Sequence, residues 1–194
     1  MAAALPLAAQ PKLLINAKVD TRSAAAGLER EFRTLLTAEP QPAWIGYTVP
    51  AAGGGQLGCE LVSPGGWYAP GVIHLEPPDH AVILFRVEAN AVSRIRALSP
   101  DCEIDAGSLR VHWLTDVQPA ESVEVLKKLM TSEPSEAVRR RAISALAVSY
   151  EGIPPLIEVA KTTQNADVRR QAMSSLGQSR DPRVLAFFED VLKR

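Results

Sequence analysis

The chain has few of the residues that most often carry chemistry. Its 194 residues include three histidines, His74, His80 and His112, and two cysteines, Cys59 and Cys102. No H-x-H, HExxH or adjacent His-Glu pair occurs, and there is no CxxC, so no metal or dithiol signature is written locally. The nearest approach to a ligand set, His74 with Asp79 and His80, reads as ordinary turn and surface chemistry. There is no G-x-S-x-G. The run Gly53-Gly54-Gly55 is followed by Gln56-Leu57-Gly58-Cys59, not by the Gly-Lys-Ser/Thr that a phosphate loop needs, so it reads as a hairpin loop. We therefore assign no catalytic residue, no metal site and no cofactor from the sequence.

Long apolar runs are also missing. No window approaches the roughly 20 consecutive apolar residues of a membrane helix, so no membrane span is expected. Charge of one sign is lacking too. The net charge is −1, and the segment from Glu121 onward carries twelve basic against ten acidic residues. A field that weak steers the chain toward neither nucleic acid nor an anionic bilayer. Aromatic residues make up only 5% of the chain, which further lowers the case for base stacking on a nucleic acid.

The opening MAAALPLAAQPK is apolar, rich in small residues and followed by Lys12. Residues 1–10 are read as the remnant of a signal peptide or as an Ala-rich disordered tail. On the first reading the protein is periplasmic or extracellular, on the second cytoplasmic. Export favours a disulfide between Cys59 and Cys102. Closing that loop stabilises the fold by roughly 4 kcal/mol in the chain-entropy account.

Residues 11–42 are expected to form a helical segment. Leu28, Phe32, Leu35 and Leu36 make one apolar stripe, a helix is expected over Val19–Glu39, and Pro40 and Pro42 end it. A short strand over Leu13–Asn16 precedes it. Residues 43–117 change character, with Gly- and Pro-rich turns between short β-branched and aromatic runs. Strands are expected at Trp44–Val49, Leu57–Val62, Val72–Glu76, Ala81–Glu88, Val92–Leu98 and Leu109–Leu114, forming a small antiparallel sandwich or sheet. In the fifth of these, Val92, Arg94 and Arg96 alternate with Ser93, Ile95 and Ala97, the period of a half-buried strand. Trp44 and Trp113 fall in strands and read as core. Trp67, after the turn at Pro64-Gly65-Gly66, is a candidate ligand or glycan contact.

From Pro119 onward strand signals stop and helices follow one another. The decisive feature is an internal repeat. Ala137-Val138-Arg139-Arg140-Arg141-Ala142-Ile143-Ser144-Ala145-Leu146 realigns further along the chain with Asp167-Val168-Arg169-Arg170-Gln171-Ala172-Met173-Ser174-Ser175-Leu176, identical at six of ten positions. Five helices are expected, at 121–131, 135–148, 153–163, 166–177 and 183–193. Pro154 and Pro182 sit at helix starts, and Asp181 caps the last helix.

A Val-Arg-x-x-Ala-x-x-x-Leu block that begins at Val138 and again at Val168 resembles the short HEAT repeats of the phycobilisome-lyase type. The second copy follows that pattern through Gly177 and Asp181-Pro182. The first departs from it, with Ala137 in place of Asp and no Gly after Leu146. The resemblance covers about residues 120–194, and implies that residues 118–194 form an α-solenoid of about 2.5 repeats. Residues 43–117 loosely resemble the β-rich segment that precedes HEAT repeats in some uncharacterised bacterial envelope proteins. The expected fold is therefore α+β, a β-rich amino-terminal domain followed by a HEAT-like solenoid.

So few repeats bury their apolar faces poorly alone, so the helices are expected to lean on the β-rich part. A second copy of the chain is the other way to cover them. The function the resemblance implies is non-catalytic: a protein-interaction or scaffold module of the bacterial envelope. Its partner is another protein, bound through a face carrying Arg140, Arg141, Arg169 and Arg170. The bland reading of these arginines is that they pair within and between repeats. Two alternatives remain open: a lyase-type enzyme or enzyme subunit with a pocket between the domains, and a β domain that binds a ligand or glycan.

Overall fold

The computed structural model describes residues 14–52, 57, 59 and 78–193. Elements follow in the order β1 (Leu14–Ile15), β2 (Lys18–Ser23), α1 (Leu28–Leu36), β3 (Ala43–Pro50), β4 (His80–Glu88), β5 (Ala91–Leu98), β6 (Ile104–Asp105) and β7 (Arg110–Thr115). Then come α2 (Pro119–Ser132), α3 (Glu136–Val148), a 3₁₀ turn at Tyr150–Gly152, α4 (Ile153–Thr162), α5 (Ala166–Leu176) and α6 (Pro182–Leu192). The α+β class stands. The five helices from α2 to α6 lie within two residues of their expected bounds, as do the strands at β3, β4, β5 and β7. The expected strands at 57–62 and 72–76 fall outside the described residues, apart from Leu57 and Cys59.

Two expectations are corrected. The helix over Val19–Glu39 is only α1, and residues 18–23 are instead an edge strand. The apolar stripe spans Leu28 to Leu36 alone. Upstream of it Val19 is the single branched apolar residue among Lys18, Asp20 and Arg22, and at a sheet edge it stays 38% exposed. The sheet is also mixed rather than antiparallel throughout, in the order β2-β7-β3-β4-β5. β3, β4 and β5 form an antiparallel meander, whereas β7 runs parallel to both β3 and β2.

The cause is the crossover after β5. Residues 99–109 return the chain to the far side of β3 and so deliver β7 parallel to it. They also cover one face of the sheet, where Cys102 and Ala106 pack with Val82, Leu84, Leu98, Val111 and Trp113. Gly46 is required on this face. A Cβ there would lie 2.8 Å from the Trp113 ring and 2.6 Å from Leu84 Cδ2, so only glycine admits the indole over the strand.

Local chemistry sets the β4–β5 hairpin. Its two loop residues, Ala89 and Asn90, both have positive φ, the geometry of a tight two-residue turn for which Asn is suited. Gln41 clasps the tip, donating to Asn90 Oδ1 and accepting from the Asn90 N–H, each at 2.9 Å. A register shift beside Arg86/Val87 pairs Arg86 with Arg94 and Val87 with Val92, which leaves Ser93 as the extra residue of a bulge. The simple alternation read along β5 is broken there, and Val92 and Ile95, three apart, both turn inward.

The opposite face of the sheet carries the main core. Ile45, Tyr47, Val49, Ile83, Phe85, Val92 and Ile95 join Leu28, Phe32 and Leu35 of α1 and the inner faces of α2 to α6 in one continuous apolar cluster. The helices thus lean on the sheet. Tyr47 Oη meets Ser122 Oγ of α2 at 2.9 Å in full burial, and burial pushes the Tyr47 phenol well above its usual range. The Leu28 N–H, at the open start of α1, donates to the Glu121 carboxylate at 3.2 Å. The Ala52 N–H donates to the Val148 carbonyl at 2.9 Å, sewing the end of β3 to the end of α3.

Candidate functional site

The repeat gives the helices a repeated capping scheme. Ser135 caps α3 by accepting from the Val138 N–H, and Asn165, at the same place in the second copy, caps α5 by accepting from the Asp167 and Val168 N–H groups. One turn later, Arg139 donates to the carbonyls of Glu133 and Pro134 at 2.7 and 2.8 Å. Its counterpart Arg169 donates to the carbonyl of Thr163. Each arginine fastens its helix to the carboxyl end of the helix before, where a cation is favoured. That is why an arginine recurs at this place in the repeat. On the buried side Val138, Ala142 and Leu146 of α3, and Ala172 and Leu176 of α5, form the inward stripe.

The four arginines singled out from the sequence part company in the structure. Arg170 pairs with Asp167 and Arg169 with its loop carbonyl, both on α5. Arg140 pairs with Glu136 one turn away at 2.8 Å, with both side chains more than half exposed, so the pair holds little energy. Arg140 and Arg141 then meet two arginines that sequence reasoning did not single out, Arg94 and Arg96 of β5. Between β5 and α3 runs an open groove of about 490 Å³, lined by Ser93, Arg94, Ile95, Arg96 and by Ala137, Val138, Arg140, Arg141. Among the described residues, half of that lining is arginine and none of it is acidic. Burial, and then the Arg141 guanidinium, hold Arg96 below the usual arginine range, the mark of two like charges brought close beside a poorly hydrated wall.

The other candidates do not converge. His80 begins β4 in register with Pro50, whereas His112 on β7 is in register with Ile45, which places them about 17 Å apart along the strand direction. His112 is 2% exposed and its Nδ1 lies 3.3 Å from Asp20 Oδ2. Burial, helped by the nearby Arg22 and Arg110 charges, holds its pKa below the usual histidine value despite the Asp20 carboxylate. Its Nε2 has no hydrogen-bond partner among the described residues, and the lowered pKa makes it a neutral, buried histidine. His80 is exposed and 2.8 Å from Asp79. His74, Trp67 and Gly53-Gly54-Gly55 lie outside the described residues. Among the described residues no cluster of three or more metal-ligating side chains occurs, and no helix is long and apolar enough to cross a membrane. Cys59 and Cys102 form a disulfide with their Cα atoms 5.2 Å apart.

Residues 123–194 match the family model for HEAT repeats. The carboxyl-terminal helices are HEAT repeats. No curated protein and no solved structure matches the chain. HEAT repeats commonly mediate protein–protein interaction, and they suggest a protein partner here. The match covers α3 to α6 and most of α2, so one wall of the basic groove is a HEAT helix and the other is the edge of the sheet on which the repeats rest.

Proposed function

We propose that this chain is a non-catalytic protein-binding module of the bacterial envelope, and that it captures an acidic segment of its partner in the groove between β5 and α3. The observation that carries this reading is the convergence of Arg94, Arg96, Arg140 and Arg141 on one open groove that has no carboxylate among the described residues of its lining. Such a surface favours a negatively charged partner and speeds its encounter. A near-neutral chain and the lack of aromatic rings among the described lining residues favour an acidic protein over a nucleic acid. The Cys59–Cys102 bond supports an exported protein, because structural disulfides persist in oxidising compartments. The lyase-type and glycan-binding alternatives lean on His74 and Trp67, and His80 and His112 lend them nothing.

Charge reversal in the groove is the test. Arg94→Glu combined with Arg141→Glu, both at exposed positions, should weaken partner capture by roughly 10- to 100-fold. Arg170→Glu on α5 should leave it within about two-fold, because that arginine is an exposed pair partner of Asp167 outside the groove. Equal losses from both variants would move the binding face to α5, and no loss from either would remove the arginines from the account. Affinity for the captured partner is read by biolayer interferometry, at two salt concentrations.

A further inference from the structure

The same groove shows how a partner would lie in it, an inference that rests on the proposed function and sharpens it. β5 is the last strand of the sheet and pairs only with β4 among the described residues. An edge strand presents a row of backbone donors and acceptors to whatever lies alongside. Successive strand side chains point to opposite faces, so a groove lying over one face would meet every second residue of β5. Past the bulge at Ser93 this groove still meets three in succession, Arg94, Ile95 and Arg96. It therefore runs along the edge itself.

The two walls follow from the register. Ile95 pairs with Phe85 and faces the main core, the side on which α3 packs. Arg94 pairs with Arg86 and Arg96 with Leu84, residues of the opposite face. Arg140 and Arg141 thus reach the groove from the helix side of the sheet, and Arg94 and Arg96 from the far side. We infer that the groove is a strand-addition site, in which an acidic, extended segment of a partner protein pairs with the outer edge of β5 between the arginines of the sheet and those of α3.

An added strand alternates its own side chains to both sides. Carboxylates at neighbouring positions therefore reach Arg94 and Arg96 on one side and Arg140 and Arg141 on the other. The same charges argue against a second copy of this chain as the occupant. Edge-to-edge pairing of two β5 strands would set arginine against arginine, a like-charge arrangement that edge strands use to avoid self-association.

The test uses the whole chain and a fluorescent eight-residue peptide of glutamate, valine and threonine, with carboxylates on both faces. Anisotropy titration should show binding that a lysine-for-glutamate peptide lacks and that Arg94→Glu with Arg141→Glu abolishes. The discriminating probe is the same peptide with its four central amides replaced by esters, which removes backbone donors and keeps every carboxylate. Its affinity should fall by roughly ten-fold or more. An ester peptide that binds as tightly as the amide would overturn strand addition while leaving an acidic-segment groove intact. Failure of the amide peptide to bind, or equal binding by the charge-reversed chain, would sink the groove reading as well. A concentration-dependent dimer in sedimentation that the Arg94→Glu variant strengthens would assign the edge to a second copy and overturn the proposal.

Discussion

Replacing Phe85 by alanine lowers stability by about 3–5 kcal/mol, the range for truncating a fully buried phenylalanine. Phe85 is 0% exposed in the middle of β4. Its ring meets Phe32 of α1 edge-on at 4.9 Å and Tyr47 of β3 at 5.7 Å. Tyr47 in turn is bonded to Ser122 of α2. The deletion therefore removes the contact on which the sheet, α1 and, through Tyr47, the start of the helical array are centred. For a chain of this size the melting temperature should fall by roughly 6–20 °C.

The fall should also be one transition. Trp44 and Trp113 report the sheet by fluorescence, and far-ultraviolet circular dichroism is dominated by the helices, most of which are HEAT repeats. Because one apolar cluster runs from Leu28 through the sheet to Phe187, the two probes should melt together in both the wild type and the variant. Separate midpoints, with the helices surviving the sheet, would show that the repeats stand alone.

Reduction of the Cys59–Cys102 disulfide should have an effect of similar size. The bond closes a loop of 43 residues, and releasing it restores to the unfolded chain an entropy equivalent to about 4 kcal/mol. The loop contains the whole β4–β5 hairpin and the approach to the crossover. Cys102 is 2% exposed in the smaller core beside Trp113. Complete reduction by dithiothreitol, confirmed by thiol labelling after unfolding, should lower the melting temperature by roughly 8–16 °C. A fully reduced chain that melts where the oxidised chain does would deprive the disulfide of its structural role, and with it the main support for export.

The helical half of the fold was legible because its signals are local. Val138, Ala142 and Leu146 with their copies in the next repeat, Pro182 at a helix start and Asp181 as its cap each declare a helix boundary or face without reference to anything distant. Strands β3, β4 and β7 were legible for a similar reason, as short β-branched and aromatic runs between turns. β2 was not. Lys18, Asp20 and Arg22 carry no apolar alternation, and what makes them a strand is the parallel register with Arg110–Thr115, far along the chain. The mixed sheet was hidden for the same reason, since it depends on where the crossover after β5 delivers β7. The groove was half legible. Arg140 stood out by repetition, with Arg141 beside it, whereas Arg94 and Arg96 read only as alternate positions of a half-buried strand. The bulge at Ser93 and the packing of α3 on the inner face of the sheet beside β5 bring the two pairs together, and neither is written in local pattern.

The most direct test of the central claim is site-specific photo-crosslinking from the groove. A benzophenone side chain in place of exposed Ser93 should, in cells of the source organism, join the protein covalently to one partner. Mass spectrometry of the joined peptide should place the link within an acidic segment. The yield should collapse when Arg94 and Arg141 are reversed to glutamate, and a probe in place of exposed Leu192 on α6 should give no such product. A link of equal yield in the reversed background, or one that falls in a neutral or basic segment, would contradict the assignment of this groove as the binding site.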